Sequence, residues 1–205
     1  LDDIPDEELE ELHESGITGL WLIGIWKRSK ASKRIKELYG NKDAIASAYS
    51  IYEYKIAEDL GDEKAYQNLK NRAKTYKIRL GSDMVPNHTG IDSPWVIEHP
   101  EWFISLNTNL NKDFSYNSPE LSPSTNVSIK LEEHYYNQTG AAEVFQHIDH
   151  KINHTSYIYH GNDGTSMPWN DTAQLNYLKP EVRDSVKQII LDVAKNFSII
   201  RFDAA

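Results

Sequence analysis

The chain has 205 residues, 39% of them hydrophobic and 26% charged, with a formal net charge of -9 at pH 7. That length supports one sizeable core or two small ones, and the acidic balance argues against a nucleic-acid surface. Cysteine is absent, which excludes disulfides, thiolate catalysis and cysteine-ligated zinc, and no apolar run approaches the length of a membrane span.

The first element is a helix starting at Pro5, with Asp6, Glu7 and Glu8 in its first turn, Leu9 and Leu12 on its apolar stripe and Gly16 as its stop. The nearly continuous apolar run Thr18 to Ile25 predicts a strand buried on both faces of a parallel sheet. A long irregular connection is expected next, carrying the basic residues Lys27, Arg28, Lys30, Lys33, Arg34 and Lys36 as a solvated helix face or loop, then Ala48-Tyr49-Ser50-Ile51-Tyr52-Glu53-Tyr54. Gly61-Asp62-Glu63 caps a helix with Ala65, Leu69 and Ala73 inward, and Ile78 to Val85 reads as a second strand that breaks at Pro86-Asn87-His88.

From Thr89 to about Leu178 the texture changes, with many Asn, Ser, Tyr and His residues and little periodicity. A segment this long is not a simple loop, and residues 89–178 are expected to form an irregular inserted subdomain between the 1–88 and 179–205 parts of one α/β domain. Regular order resumes with Pro180 at a first helical position and a stripe of Val182, Val186, Ile189, Ile190 and Val193, then a last strand from Ser198 to Phe202. Strands alternating with helices indicate parallel βαβ units. Asp83, Asn87, His88, Arg201 and Asp203 all fall at or just past the C-terminal ends of strands, where a (β/α) barrel keeps its catalytic face and an open α/β sheet its ligand crevice.

Alternation along a strand puts Arg201 and Asp203 on the same face. A guanidinium beside a carboxylate favours the ionised form, and an oriented, ionised carboxylate at a strand end suits covalent chemistry at a sugar carbon. A buried strand salt bridge is the alternative reading of the same two residues. The segment Asp83-Met84-Val85-Pro86-Asn87-His88 offers a carboxylate, an amide and an imidazole within six residues. By themselves these read equally as ligand-binding groups or as an ordinary turn with local caps.

Taken together, Asp83-Met84-Val85-Pro86-Asn87-His88 and Ile200-Arg201-Phe202-Asp203-Ala204-Ala205 resemble the first and second conserved regions of the α-amylase superfamily, glycoside hydrolase family thirteen. Gly16 to Leu22 is similar to that family's second barrel strand and its approach. Ala48 to Tyr54 is similar to its Gly-Tyr-Asp-x-x-Asp-Tyr segment, with Glu53 in place of the second Asp. The resemblance implies a partial (β/α)8 TIM barrel, about the second to fourth βα steps, with a subdomain inserted after the third barrel strand. It also implies a retaining enzyme acting on α-glucans or maltooligosaccharides, with neither nucleic acid nor membrane as partner.

By the same resemblance Asp203 is the nucleophile, Arg201 orients it and keeps it ionised, His88 hydrogen-bonds the sugar at the point of cleavage, Tyr49 stacks on that sugar and Asp83 braces the site. Retention needs two carboxyl groups about 5 to 5.5 Å apart. The family's acid/base glutamate follows the next barrel strand, beyond Ala205, so the segment by itself is expected to be inactive and prone to aggregate through open sheet edges. Asn87 matches a calcium-binding position of many members, but the companion Asp is replaced by Gln174 in Ala173-Gln174-Leu175-Asn176. A neutral glutamine is a weak calcium ligand, and the expectation is a chain with no metal or cofactor.

His147, His150 and His154 have a spacing that invites zinc, yet Lys151 stands where the zinc-protease motif needs glutamate, and surface histidines are the expectation. Of the insert's aromatics, Trp95 and Trp102 are assigned to a core, while Tyr135, Tyr136, Tyr157, Tyr159 and Trp169 are candidates to line sugar subsites. Hydrolysis and glucosyl transfer or isomerisation, as in a trehalose-synthase type enzyme, share one intermediate and are not separated by these residues. A non-catalytic carbohydrate-binding relative is the rival from another class; a nucleotide-binding domain lacks support because Gly24-Ile25-Trp26-Lys27 offers bulk where a phosphate loop needs glycines. The absence of cysteine and of a basic signal-peptide start at Leu1-Asp2-Asp3 favours a cytoplasmic location, and triplets such as Asn126-Val127-Ser128 are read as chance.

Overall fold

The computed structural model describes residues 1–164 and 167–205. Helix α1 (Asp6–Glu14) starts after Pro5 and buries Leu9, and the chain turns at Gly16 with φ of 82° into strand β1 (Gly19–Leu22). The connection expected to be irregular is ordered instead. It contains β2 (Trp26–Arg28), helix α2 (Lys30–Leu38) and β3 (Ile51–Ile56), with β2 and β3 paired antiparallel. Ser29 caps α2 by accepting from the Ser32 N–H, and the buried Asp92 carboxylate accepts from the Ala31 N–H. Ala31, Ser32 and Ile35 face inward, which leaves most of the basic residues on the solvated side of the helix.

Helix α3 (Asp62–Thr75) and strand β4 (Arg79–Met84) follow as read from the sequence. Strand β5 (His88–Gly90) and helix α4 (Pro94–Glu98) open the inserted region. This region is only partly irregular: residues 107–126 carry no helix or strand, but a sheet is built around them. β6 (Ser105–Leu106), β7 (Val127–Leu131), the short helix α5 (Glu133–Tyr136), β8 (Val144–Asp149) and β9 (His154–Tyr159) contribute an antiparallel sheet in the order β6-β9-β8-β7. Val127, Ile129 and Leu131 alternate inward along β7, a period-two pattern that only three short apolar positions announce. Strand β10 (Thr172–Gln174) then pairs antiparallel with β5, with Gln174 opposite His88, so the region returns to the turn it left.

Helix α6 (Pro180–Asn196) and strand β11 (Ile199–Phe202) complete the chain's regular elements. β1, β4 and β11 form a parallel sheet in sequence order, β4 in the middle. Leu20, Leu22, Leu80 and Ile200 pack with Tyr66, Leu69 and Ala73 of α3 and Val193 of α6. The opposite face carries Trp21, Asp83, Ile199 and Arg201, and Trp21 is 45% exposed there. The first strand is therefore covered on one face rather than two, because among the described residues no second layer packs on the other. A further apolar cluster joins Ile129, Leu131, Phe145 and Ile158 of the inserted sheet to Met84, Val182 and Val186. His147 lies within that packing, buried, instead of on the surface; His150 and His154 are exposed as expected.

Candidate active site

All three parallel strands send their C-terminal ends to one edge, and the site is built there from β4 and β11 outward. Arg201 and Asp83 are register partners on adjacent strands, so their side chains leave the sheet on the same face. Arg201 Nη1 donates to Asp83 Oδ1 at 2.7 Å and Nη2 contacts Asp203 Oδ1 at 2.6 Å. One guanidinium thus bridges two carboxylates, and the hydrogen bond to Asp83 raises its own pKa above the usual arginine value. Asp203 is held in place by its backbone N–H, which continues the ladder to Met84 O at 2.9 Å. Its carboxylate makes no hydrogen bond among the described residues beyond the pairing with Arg201.

Trp21 is a residue that the apolar run concealed. It stands on β1 opposite Gly81, and its Nε1 crosses to the diagonal neighbour Asp83, donating to Oδ2 at 3.0 Å. The Arg201 guanidinium lies 4.8 Å from the Trp21 ring centroid. Asp83 is 3% exposed and holds Arg201 on one oxygen and Trp21 on the other, which makes it a brace. In sequence, a tryptophan two residues from a glycine on the same strand face is the only signal, and core packing explains it equally well.

The turn after β4 is pinned by three aromatic side chains through their polar ends. Trp26 Nε1 donates to Asp83 O at 2.8 Å, the Tyr54 hydroxyl both accepts from Val85 N–H at 2.9 Å and donates to Val85 O, and the Tyr177 hydroxyl donates to Pro86 O at 2.6 Å. Burial raises the Tyr54 hydroxyl pKa and pushes that of Tyr177 up to about 12. These clamps satisfy backbone groups that the broken strand leaves unpaired.

His88 follows the turn and is 4% exposed. Its Nε2 faces Tyr49 O at 3.3 Å, its Nδ1 faces Asn87 Nδ2 at 3.3 Å, and the Trp169 ring lies 5.1 Å away. Burial lowers its pKa to about 4, so the ring is neutral at pH 7. The Tyr49 hydroxyl accepts from Arg201 Nη1 at 3.4 Å. The geometry thus gathers all five residues singled out from sequence, Tyr49, Asp83, His88, Arg201 and Asp203, and adds Trp21, Tyr54 and Trp169.

The chain matches the α-amylase catalytic-domain family over residues 6–204. It belongs to the α-amylase family. Alpha-amylase 3 of Dictyoglomus thermophilum is 24% identical over 201 residues, covering 97% of this chain and 31% of that protein. The chain therefore spans about a third of the curated relative's length. An α-amylase from Lactobacillus plantarum shares its fold, with a TM-score of 0.58 at 20% identity over 97% of this chain and 32% of that one. So does trehalose-6-phosphate hydrolase of Bacillus licheniformis, with a TM-score of 0.60 at 18% identity over 96% and 30%. Isomaltulose synthase of Klebsiella sp. LX3 follows at 0.57 and 18%, over 97% and 30%.

At the position that matches the α-amylase family's calcium ligand, this chain pairs two amide side chains. Asn87 Oδ1 accepts from Gln174 Nε2 at 2.7 Å, so this oxygen already faces an N–H, and position 174 offers a neutral amide, a weaker calcium ligand than a carboxylate. Among the described residues no group of three His, Asp or Glu side chains is spaced to hold a metal ion, and no helix is long and apolar enough to cross a membrane.

Proposed function

We propose that this segment belongs to a retaining enzyme acting on α-glucosidic bonds of maltooligosaccharides or α-glucans, with Asp203 as nucleophile. The observation that carries the reading is the Arg201 bridge, which orients Asp203 from one oxygen at a strand end. A carboxylate oxygen of Asp203 attacks the anomeric carbon as the C1–O bond breaks, and the leaving oxygen takes a proton from an acid. Water or a sugar hydroxyl then attacks C1, its proton passes to that acid's conjugate base, and Asp203 is released. Asp83 is committed to Arg201 and Trp21, and the resemblance to the α-amylase family implies an acid/base glutamate after the next barrel strand, outside these 205 residues. The sequential order β1-β4-β11 supports reading the strands as the second to fourth of a (β/α)8 barrel, since no switch point interrupts them.

Tyr49 supplies a ring face for the sugar, and the long His88 Nε2 contact with Tyr49 O leaves that N–H to be shared with a sugar hydroxyl. The site is proposed to work without calcium. Incubating the full-length protein with a 2-fluoro glucosyl inactivator should place one covalent sugar on the peptide containing Asp203. Asp203→Asn should abolish both labelling and turnover. A label on another residue, or turnover by Asp203→Asn, sinks the assignment. Relatives named for isomaltulose synthesis and for hydrolysis keep transfer as a second reading; product analysis with and without an acceptor sugar separates the two.

A further inference from the structure

The side chains of Asn87 and Gln174 form a reciprocal amide pair. Gln174 Nε2 donates to Asn87 Oδ1 at 2.7 Å and to Asn87 O at 3.2 Å, while Gln174 Oε1 accepts from Asn87 Nδ2 at 3.1 Å and from Asn162 N at 3.0 Å. Leu175 N–H closes on Asn87 O at 3.1 Å. Every polar atom of the Gln174 amide is used, and the pair settles which way the Asn87 amide points. Its oxygen faces Gln174 and its nitrogen faces His88 Nδ1 and Asn162 O, each at 3.3 Å.

A carboxamide nitrogen can only donate. One Asn87 Nδ2 hydrogen goes to Gln174 Oε1, and the other is shared between Asn162 O and His88 Nδ1. Tyr49 O can only accept, so the contact at Nε2 places the imidazole proton there and leaves Nδ1 as the acceptor facing Asn87. The ring has little room to adopt another pose. Gly161 backs it so closely that an added Cβ would lie 3.0 Å from His88 Cγ and 2.5 Å from Thr172 Oγ1, and Trp169 lies against the ring as well. Gln174, directly opposite His88 in the β5–β10 register, is thus two hydrogen bonds away from Nδ1 of the His88 ring.

We infer that Gln174 is a positioning residue for His88, acting through the Asn87 amide, and that this amide pair replaces a bound cation at the junction of β4 and β10. Glutamate at position 174 would keep the acceptor but lose both donated hydrogen bonds, setting a charged oxygen against Asn87 Oδ1. The junction would then call for a cation to neutralise it. The catalytic part of the inference rests on the proposed function; the tautomer and metal parts do not.

Three measurements on the full-length protein test it. Thermal unfolding of the wild type should be the same in EDTA and in millimolar CaCl2, and imidazole ¹⁵N shifts should report the Nε2–H tautomer of His88. Gln174→Met should shift those resonances toward a tautomer mixture and raise KM about tenfold, as loss of an outer partner does elsewhere. Gln174→Glu should unfold earlier in EDTA and recover with calcium. Chelator sensitivity of the wild type, an Nδ1–H tautomer, or no calcium response in Gln174→Glu overturns the inference. So does a Gln174→Met variant that loses thermal stability with His88 shifts and KM unchanged. Should Gln174→Met not fold, the wild-type and Gln174→Glu measurements decide. Absence of any glucosidase or transferase activity would overturn the proposed function and leave the tautomer and chelator results standing.

Discussion

Arg201 and Asp83 face each other directly across β11 and β4, and the 2.7 Å bond between them leaves the second arm of the guanidinium for Asp203. The pairing turns a strand register into the orientation of a nucleophile. A planar fork holds both carboxylates in a fixed geometry, whereas a lysine ammonium is a point charge with rotatable donors on a flexible stem. Arg201→Lys in the full-length protein should therefore keep the charge and still lower kcat by at least about a hundredfold, the scale of a small misplacement at a reacting group. Steady-state kinetics on maltooligosaccharides check this; a loss under twofold would mean that charge alone suffices.

Trp21 adds one donor to Asp83 from the neighbouring strand. Trp21→Phe keeps an aromatic ring beside Arg201 and deletes only the N–H. Asp83 then loses one of its two side-chain partners, and kcat should fall roughly fivefold to tenfold, equivalent to about 1 to 1.4 kcal/mol of orientation. An unchanged kcat would show that Arg201 by itself holds Asp83.

Tyr54 satisfies both the N–H and the C=O of Val85 with one hydroxyl. Tyr54→Phe leaves the N–H and C=O of the buried Val85 without their hydroxyl partner, at a cost of about 1–3 kcal/mol. Calorimetry should show the loss as a lower Tm. KM should rise with it, because Val85 leads into Pro86-Asn87-His88.

His160 is fully enclosed in the inserted region, with Nδ1 on Thr172 O, and burial lowers its pKa from 6.5 to about 4. The folded state keeps it neutral while the unfolded chain takes up a proton below 6.5, so its contribution is intact above that value and is lost as pH falls toward 4. The loss at pH 4 is on the order of 3 kcal/mol. Urea titrations of wild type and His160→Gln between pH 7 and 4 should show a shallower decline for the variant. Parallel declines would place the acid sensitivity elsewhere.

Much of the site was readable in one dimension because its residues sit at strand ends. Asp83, Asn87 and His88 follow an apolar strand, and Arg201 and Asp203 share a strand face by alternation. The same reading left α2 open between a solvated helix face and a loop, although Ser29, Ala31 and Ile35 already have a cap and i, i+4 spacing; the charge run drew attention to the solvated side. It missed the inserted sheet, whose strands are short and are recognisable as strands only when paired.

The amino-acid order by itself determined the alternation of helices and strands and put Asp83, His88, Arg201 and Asp203 at strand ends, because local periodicity needs no long-range information; the family and Tyr49 were legible through the resemblance of short motifs. Tertiary structure alone decided the partners: Trp21 on Asp83, Tyr54 on Val85 and Gln174 on Asn87 join residues 62, 31 and 87 positions apart. Such contacts depend on register between strands and on which face each strand turns to its neighbour. Neither exists until the strands pair, so a tryptophan read as core becomes a donor and a glutamine read as a lost metal ligand becomes the partner of an asparagine.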